Sequence, residues 1–251
     1  MQLDGLTVVA SDVVGKRIAS LIGAALVSPE AAGEVDLGGP VLLAVGLAER
    51  AAAALIDRAA PGWVVLSSTR LDSLTPDSSL ALSWANEGVA LARGATVLRT
   101  SMLFGRGLSD PLSCLLESSI GRSSISRVSD PLALLQPLHI DDISSLVQAA
   151  IGRPDLGGRY VATGPEVTTI GALLTRVARL RGDDGPGFRR TRLAAMASAW
   201  TACETETIAD DHSTRALFAW SPQSLELRLR QTLPATGVEA HTTPATVRVA
   251  L

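Results

Sequence analysis

Leu6-Thr7-Val8-Val9-Ala10 is a short apolar run rich in β-branched residues, and the segment behind it, 13–26, carries Val14, Ile18, Leu21 and Ile22 at helical spacing. The pair reads as a strand followed by a helix. Val41-Leu42-Leu43-Ala44-Val45 begins a second such unit, turns at Gly46 and continues through the alanine-rich stretch 47–60, which Pro61-Gly62 ends. A third strand, Trp63-Val64-Val65-Leu66, runs into Ser67-Ser68-Thr69. Residues 79–93 then suit a helix stopped by Gly94, and Ala95 to Leu98 a fourth strand. Strands that are apolar throughout and alternate with helices require a parallel sheet covered on both faces, which places the chain in the α/β class.

Later segments repeat the pattern at longer intervals: helices at 111–120, 141–151 and 169–180, and a strand at 159–162. Gly182 to Gly187 reads as a loop, 188–233 as helical and less regular, and 234–251 as a tail without helical periodicity. With 251 residues, 47% of them hydrophobic, the chain is expected to form a single domain. A net charge of −3 and the lack of any Lys/Arg-rich run argue against nucleic acid. The first residues hold Asp4 and no basic-then-apolar leader, and no apolar run reaches the ~20 residues of a membrane span, so a cytoplasmic protein without membrane contact is expected. Cys114 and Cys203 lack CxxC or Cys/His spacing, which supports neither a disulfide nor a metal site and favours buried, inert thiols.

Several segments, in order, resemble the extended and atypical short-chain dehydrogenase/reductases, the NAD-dependent epimerase/dehydratase group. Ala95-Thr96-Val97-Leu98-Arg99-Thr100-Ser101-Met102-Leu103-Phe104-Gly105-Arg106-Gly107 is similar to the strand and loop that in this family bring substrate and nicotinamide together. Leu138-His139-Ile140-Asp141-Asp142-Ile143 resembles its helix-opening segment, with Asp142 at the usual aspartate. Gly158 to Glu166 is similar to the strand and turn that follow, and Phe218-Ala219-Trp220-Ser221-Pro222 to the C-terminal signature. The resemblance implies a Rossmann-like doubly wound sheet. Substrate-side elements are then expected mainly in 105–137 and 183–233, and a homodimer is possible.

The sequence departs from that family where the cofactor would sit. A glycine-rich turn lets the backbone and a helix N-terminus approach a pyrophosphate. Here Gly15 is retained, while Val9 and Asp12 stand at the two earlier glycines; Gly15 then reads as a helix-packing glycine. The stretch 25–40 looks too short for the family's second strand, helix and third strand. Asp36 is either a remnant of the family's adenine contact or an ordinary loop aspartate.

The chemistry departs as well. The family's general acid/base is a tyrosine whose phenol is helped to ionise by a lysine one helical turn later. Alignment on Glu87 and Arg99 puts Ser79 and Ser83 there, and the chain's single tyrosine, Tyr160, and single lysine, Lys16, stand far apart.

Groups expected at the C-terminal edge of the sheet remain as candidates. Ser67, Ser68 and Thr69 are expected to contact a ligand or to make a turn; Arg99 to meet an anionic group or an ion-pair partner; Ser101 and Met102 to line the pocket with Trp200. His139 is a candidate base or a helix-opening residue with Asp142 as cap, and Asp210, Asp211 and His212 are a catalytic cluster or a charged loop. Trp84 and Trp200 are expected in core or pocket wall.

These readings converge on a protein of this fold that takes a small, fairly apolar metabolite and acts on it without redox chemistry, by cyclisation, isomerisation or elimination. No cofactor is expected. The alternatives are an NAD(P)-dependent reductase or epimerase and a catalytically silent metabolite-binding or regulatory protein. The bias to arginine and alanine suggests a GC-rich bacterial genome, where repurposed relatives serve specialised metabolism.

Overall fold

The computed structural model describes residues 5–72, 78–117, 130–182 and 208–233; Trp200, Cys203 and the tail 234–251 lie outside them. Six parallel strands form the central sheet: β1 (Thr7–Ala10), β2 (Ala25–Val27), β3 (Val41–Ala44), β4 (Val64–Ser68), β5 (Thr96–Thr100) and, much later in the chain, β9 (Gly158–Ala162). Their spatial order is β2-β1-β3-β4-β5-β9. The order reverses at β1, which creates a crevice above the strand ends between β1 and β3.

Both faces are buried, which explains the unbroken apolar strands. Val8, Ala10, Leu42, Ala44, Val64 and Leu98 point to one side, where Ile18 of α1 (Val13–Ile22) and Ile143, Leu146 and Val147 of α6 (Ile140–Ile151) cover them. Val9, Val41, Leu43, Val65 and Val97 point to the other, under Leu55 and Ile56 of α3 (Arg50–Ile56) and Ala90 of α4 (Ser78–Ala92). This is the two-residue period of a strand used twice over. A third cluster joins Phe104, Leu112 and Leu116 to Leu173, Leu174 and Val177 of α7 (Ile170–Leu180) and to Leu225 and Leu229. It holds α5 (Pro111–Glu117) beside the C-terminal helix.

The stretch 25–40 differs from expectation. Gly23, in the left-handed region at φ 68°, ends α1 one turn earlier than the periodicity suggests. The chain then fits both β2 and α2 (Pro29–Glu34) before β3. The chain passes from α2 directly into β3, so that among the described residues no further strand lies outside β2, which forms the edge of the sheet. Arg58 fastens the shortened connection, donating from Nη1 and Nη2 to the carbonyls of Ala32 and Val35, both at 2.6 Å.

The remaining elements are the short pairs β6 (Leu103–Phe104) with β8 (Leu138–His139) and β7 (Leu134–Leu135) with β10 (Thr168–Thr169), then α8 (His212–Phe218) and α9 (Leu225–Thr232). No helix among the described residues is long and apolar enough to cross a membrane.

Candidate functional site

A cavity of about 250 Å³ lies at the C-terminal ends of β1, β3, β4 and β5. Its walls are apolar on most sides: Val14, Ala44, Val45, Leu47, Leu66, Leu71, Leu80 and Leu103. Polar groups enter from Ser67, Ser68, Ser83, Thr100 and Asp12. No lysine, arginine or histidine is part of the lining among the described residues.

Asp12 caps α1: Gly15 N–H donates to its Oδ1 at 2.8 Å. A carboxylate therefore already occupies the helix N-terminus where a pyrophosphate would need free N–H groups and no negative charge. Gly15 behind it is a packing glycine, since an added Cβ would come within 2.3 Å of Ala10 Cβ and 2.8 Å of Ala44 Cβ. On the adenine side, Asp36 is exposed and borders a different cavity with Pro40, Trp63 and Pro154, at the N-terminal ends of β3 and β4. Without a strand to carry the chain back across the sheet, Asp36 lies at the wrong end to be an adenine contact. These residues do not fit a dinucleotide.

The three hydroxyls after β4 differ in role. Ser67 faces the cavity and donates to Glu87 Oε2 at 2.8 Å. Ser68 also lines it, while its Oγ accepts from Arg70 N–H at 3.2 Å, so cavity wall and turn are combined in one residue. Thr69 is fully buried and its hydroxyl points to the Thr100 carbonyl. Ser83, on α4 at the family's lysine position, is part of the wall.

Arg99 is not a ligand contact. It is 2% exposed; its Nε lies 3.1 and 3.0 Å from the two Glu87 oxygens, and its Nη1 pairs with Asp72. Arg159 adds a bond of 2.5 Å from its Nε to Glu87 Oε1, so one buried carboxylate holds two guanidinium groups and a serine. Trp84, expected in core or wall, is instead 49% exposed, with the two guanidinium groups 5.1 and 5.5 Å from its ring and its Nε1 donating to the Leu71 carbonyl at 2.9 Å.

Ser101 and Met102 are also absent from the cavity wall. Ser101 is buried and donates to the Gln136 carbonyl at 2.5 Å, and Met102 packs against the third core cluster. Cys114 is exposed, contrary to expectation.

His139 turns out to be the cap of α6 itself, its Nδ1 accepting from Asp141 N–H at 3.2 Å while Nε2 faces Thr232 Oγ1 at 3.3 Å. Burial against Phe104 and its surroundings lowers its pKa to about 4, with Asp141 opposing and Arg228 assisting the shift. A neutral ring bonded on both nitrogens and outside the cavity wall is not placed to act as its base.

Asp142, released from capping, is buried against Arg228, with bonds of 3.0 Å from Nε and 2.5 Å from Nη2, and its carbonyl accepts from Trp220 Nε1 at 3.0 Å. The Asp210–His212 cluster also separates. Asp211 binds Thr163 N–H and Arg215, whereas Asp210 and His212 are exposed, linked by the His212 N–H to Asp210 Oδ1 at 2.9 Å. None of the three lines the cavity.

Sequence reasoning missed Leu80, Thr100 and Leu103 as wall and Arg228 as the partner of Asp142. Arg228 stands among alternating leucines and charges in Leu225-Glu226-Leu227-Arg228-Leu229-Arg230, where nothing local distinguishes a buried arginine from a solvated one.

No known family model matches the chain, and no curated protein matches it either. Solved structures do. The chain is similar to UDP-glucose 4-epimerase from Thermotoga maritima, with UDP-glucose, at TM-score 0.66 and 14% identity over 90% of this chain and 96% of that one. The chain has the fold of nucleotide-sugar epimerases and dehydratases. dTDP-glucose 4,6-dehydratase from Bacillus anthracis, in complex with NAD, superposes at TM-score 0.69 and 12% identity, covering 90% of this chain and 94% of that one. The Pseudomonas aeruginosa protein RMD, complexed with NADPH, does so at 0.64 and 14%, covering 91% and 96%.

Proposed function

We propose that this protein is a divergent relative of these epimerases and dehydratases that binds a small, largely apolar metabolite at the C-terminal edge of its sheet and acts on it without redox chemistry. One observation carries the reading: the carboxylate of Asp12 caps the helix end that a dinucleotide would need, above a wall of leucine, valine and alanine. In such a site the contribution to rate is orientation and exclusion of water. The hydroxyls of Ser67, Ser68, Ser83 and Thr100 orient a carbonyl or hydroxyl of the ligand, and the apolar walls fix its shape. A cyclisation, isomerisation or elimination needs no more than this and a mobile proton. Among the described residues the wall contains no histidine and no tyrosine, so Asp12 is the group at hand to accept one.

A second reading, an NAD(P)-dependent epimerase or reductase, is supported by the fold neighbours bound to NAD and NADPH. Titration calorimetry with NADH and NADPH at physiological salt separates the two. Binding weaker than the low-micromolar range is expected for both, and low-micromolar dissociation constants for either overturn the first reading. Native mass spectrometry of the purified protein is expected to show a small co-purifying molecule, lost on Ser83→Leu, which fills the cavity. If that molecule, once identified, is returned unchanged after incubation, the protein binds it without catalysis.

A further inference from the structure

The charge of the cavity specifies the ligand beyond its size and polarity, on the reading that this cavity is the functional site. Asp12 is the one ionisable side chain in the wall among the described residues. Its Oδ1 is engaged by Gly15 N–H, but its Oδ2 has no partner among the described residues, and no ion pair engages it there. A second carboxylate stands at the same rim: Glu49 Oε1 lies 2.7 Å from where a side chain at Gly46, itself a wall residue, would place its Cβ. Glu49 occupies the cap position of α3 without making a capping hydrogen bond; it is exposed and stands beside the cavity rather than in its wall.

Two negative charges therefore border a space whose remaining surface is hydrocarbon and hydroxyl. Such a space disfavours carboxylates and phosphates, to an extent limited by solvent at the two carboxylates, both of which are exposed. The geometry points to a protonated amine carried on a compact apolar body as the ligand, its ammonium at Asp12 Oδ2 and its hydrocarbon against Leu66, Leu80 and Leu103. An ammonium presents several donors, which suits one free carboxylate oxygen together with the hydroxyls of Ser67 and Ser83. The Thermotoga maritima epimerase is bound to UDP-glucose, an anion; this cavity carries the opposite preference.

Three probes of one shape and different charge test this on the full chain: 2-phenylethylamine, 2-phenylethanol and 3-phenylpropionate, titrated at pH 7 by protein-observed NMR. The expected result is a response at Ser67, Ser83 and Thr100, with the amine bound about tenfold or more tighter than the carboxylate. Asp12→Asn keeps the helix cap, since asparagine caps as well as aspartate, and removes the charge. In that variant the amine and carboxylate affinities should converge to within about threefold. If the carboxylate binds as well as the amine, the amine assignment is wrong while the cavity remains the site; if the preference survives Asp12→Asn, the placement of the ammonium at Asp12 is wrong. If none of the three probes shifts the cavity residues, the cavity itself is not the site and both readings fall.

Discussion

Charge is distributed in opposite ways in two neighbouring regions. Beneath β4 and β5, Glu87 is fully buried and neutralised by Arg99 and Arg159. A few ångströms away, the strand ends carry an apolar wall with one half-engaged carboxylate. Buried charge is costly and persists where it is paired. The first arrangement therefore holds a scaffold, and the second leaves a solvent-exposed, capping carboxylate at the edge of a space that a molecule can enter. The difference separates polar residues that are paired within the scaffold from those that line the cavity.

The largest expected effect comes from breaking the paired side of this contrast. Glu87→Ala leaves Arg99 buried without its main partner and should destabilise the fold by about 3–5 kcal/mol, read as a fall in urea midpoint at unchanged m-value. A cost within that of an exposed pair would show that the network is surface decoration.

Next comes His139, buried and neutral. Its folded pKa of about 4 lies below the 6.5 of the free side chain, so between these values the unfolded chain takes up a proton that the folded protein refuses, and stability falls as pH drops through that window. The contribution is on the order of 2–3 kcal/mol by pH 4. Asp110 acts in the opposite sense. Burial raises its pKa from 3.8 to about 6 despite its bonds to Ser113, so the folded state binds a proton more readily and gains stability as pH falls from 6 to 4. The two partly cancel in the wild type. The measurement is therefore the difference between wild type and His139→Asn, a capping residue that does not title in this range, followed by urea denaturation from pH 7 to pH 4; equal slopes would mean that His139 is solvated.

Gly15→Ala tests the junction of the two regions. Its Cβ would meet Ala10 and Ala44 at less than contact distance, and a loss of about 1–3 kcal/mol in thermal or urea stability is expected, together with weaker probe binding because Ala44 is also cavity wall. The smallest effect belongs to the exposed Glu226–Arg230 pair of α9, where Glu226→Ala should cost no more than about 0.5 kcal/mol.

Much of the fold was legible because buried parallel strands leave a strong mark: Val41 to Val45 and Trp63 to Leu66 have no reading other than covered strands. Gly94 and Pro61-Gly62 marked helix ends for the same kind of reason, being residues whose backbone preferences are local. The site was legible in part. Asp12 stood out as a charge at a glycine position, and Ser67 and Ser68 were placed at the strand end by order along the chain, whereas Ser83 reads only as the residue at the family's lysine position. Arg99, His139 and Asp142 were visible as polar residues at strand and helix ends, but whether such a group faces a cavity or a buried partner depends on Glu87, Thr232 and Arg228, which are 12 to 93 residues away in the chain. Asp36 reads from the sequence as either an adenine contact or a loop aspartate, and its exposed place beyond α2, at the N-terminal end of β3, fits the loop.

Lys16 sits one residue beyond the packing glycine, exposed on the first turns of α1, and is the only lysine side chain in the sequence. Amine-directed reagents thus have a single side-chain target, on the helix whose cap forms part of the cavity wall. A fluorophore or spin label coupled there, with the site of the adduct located by peptide mapping, turns the lone lysine into a reporter of ligand arrival without any engineered cysteine.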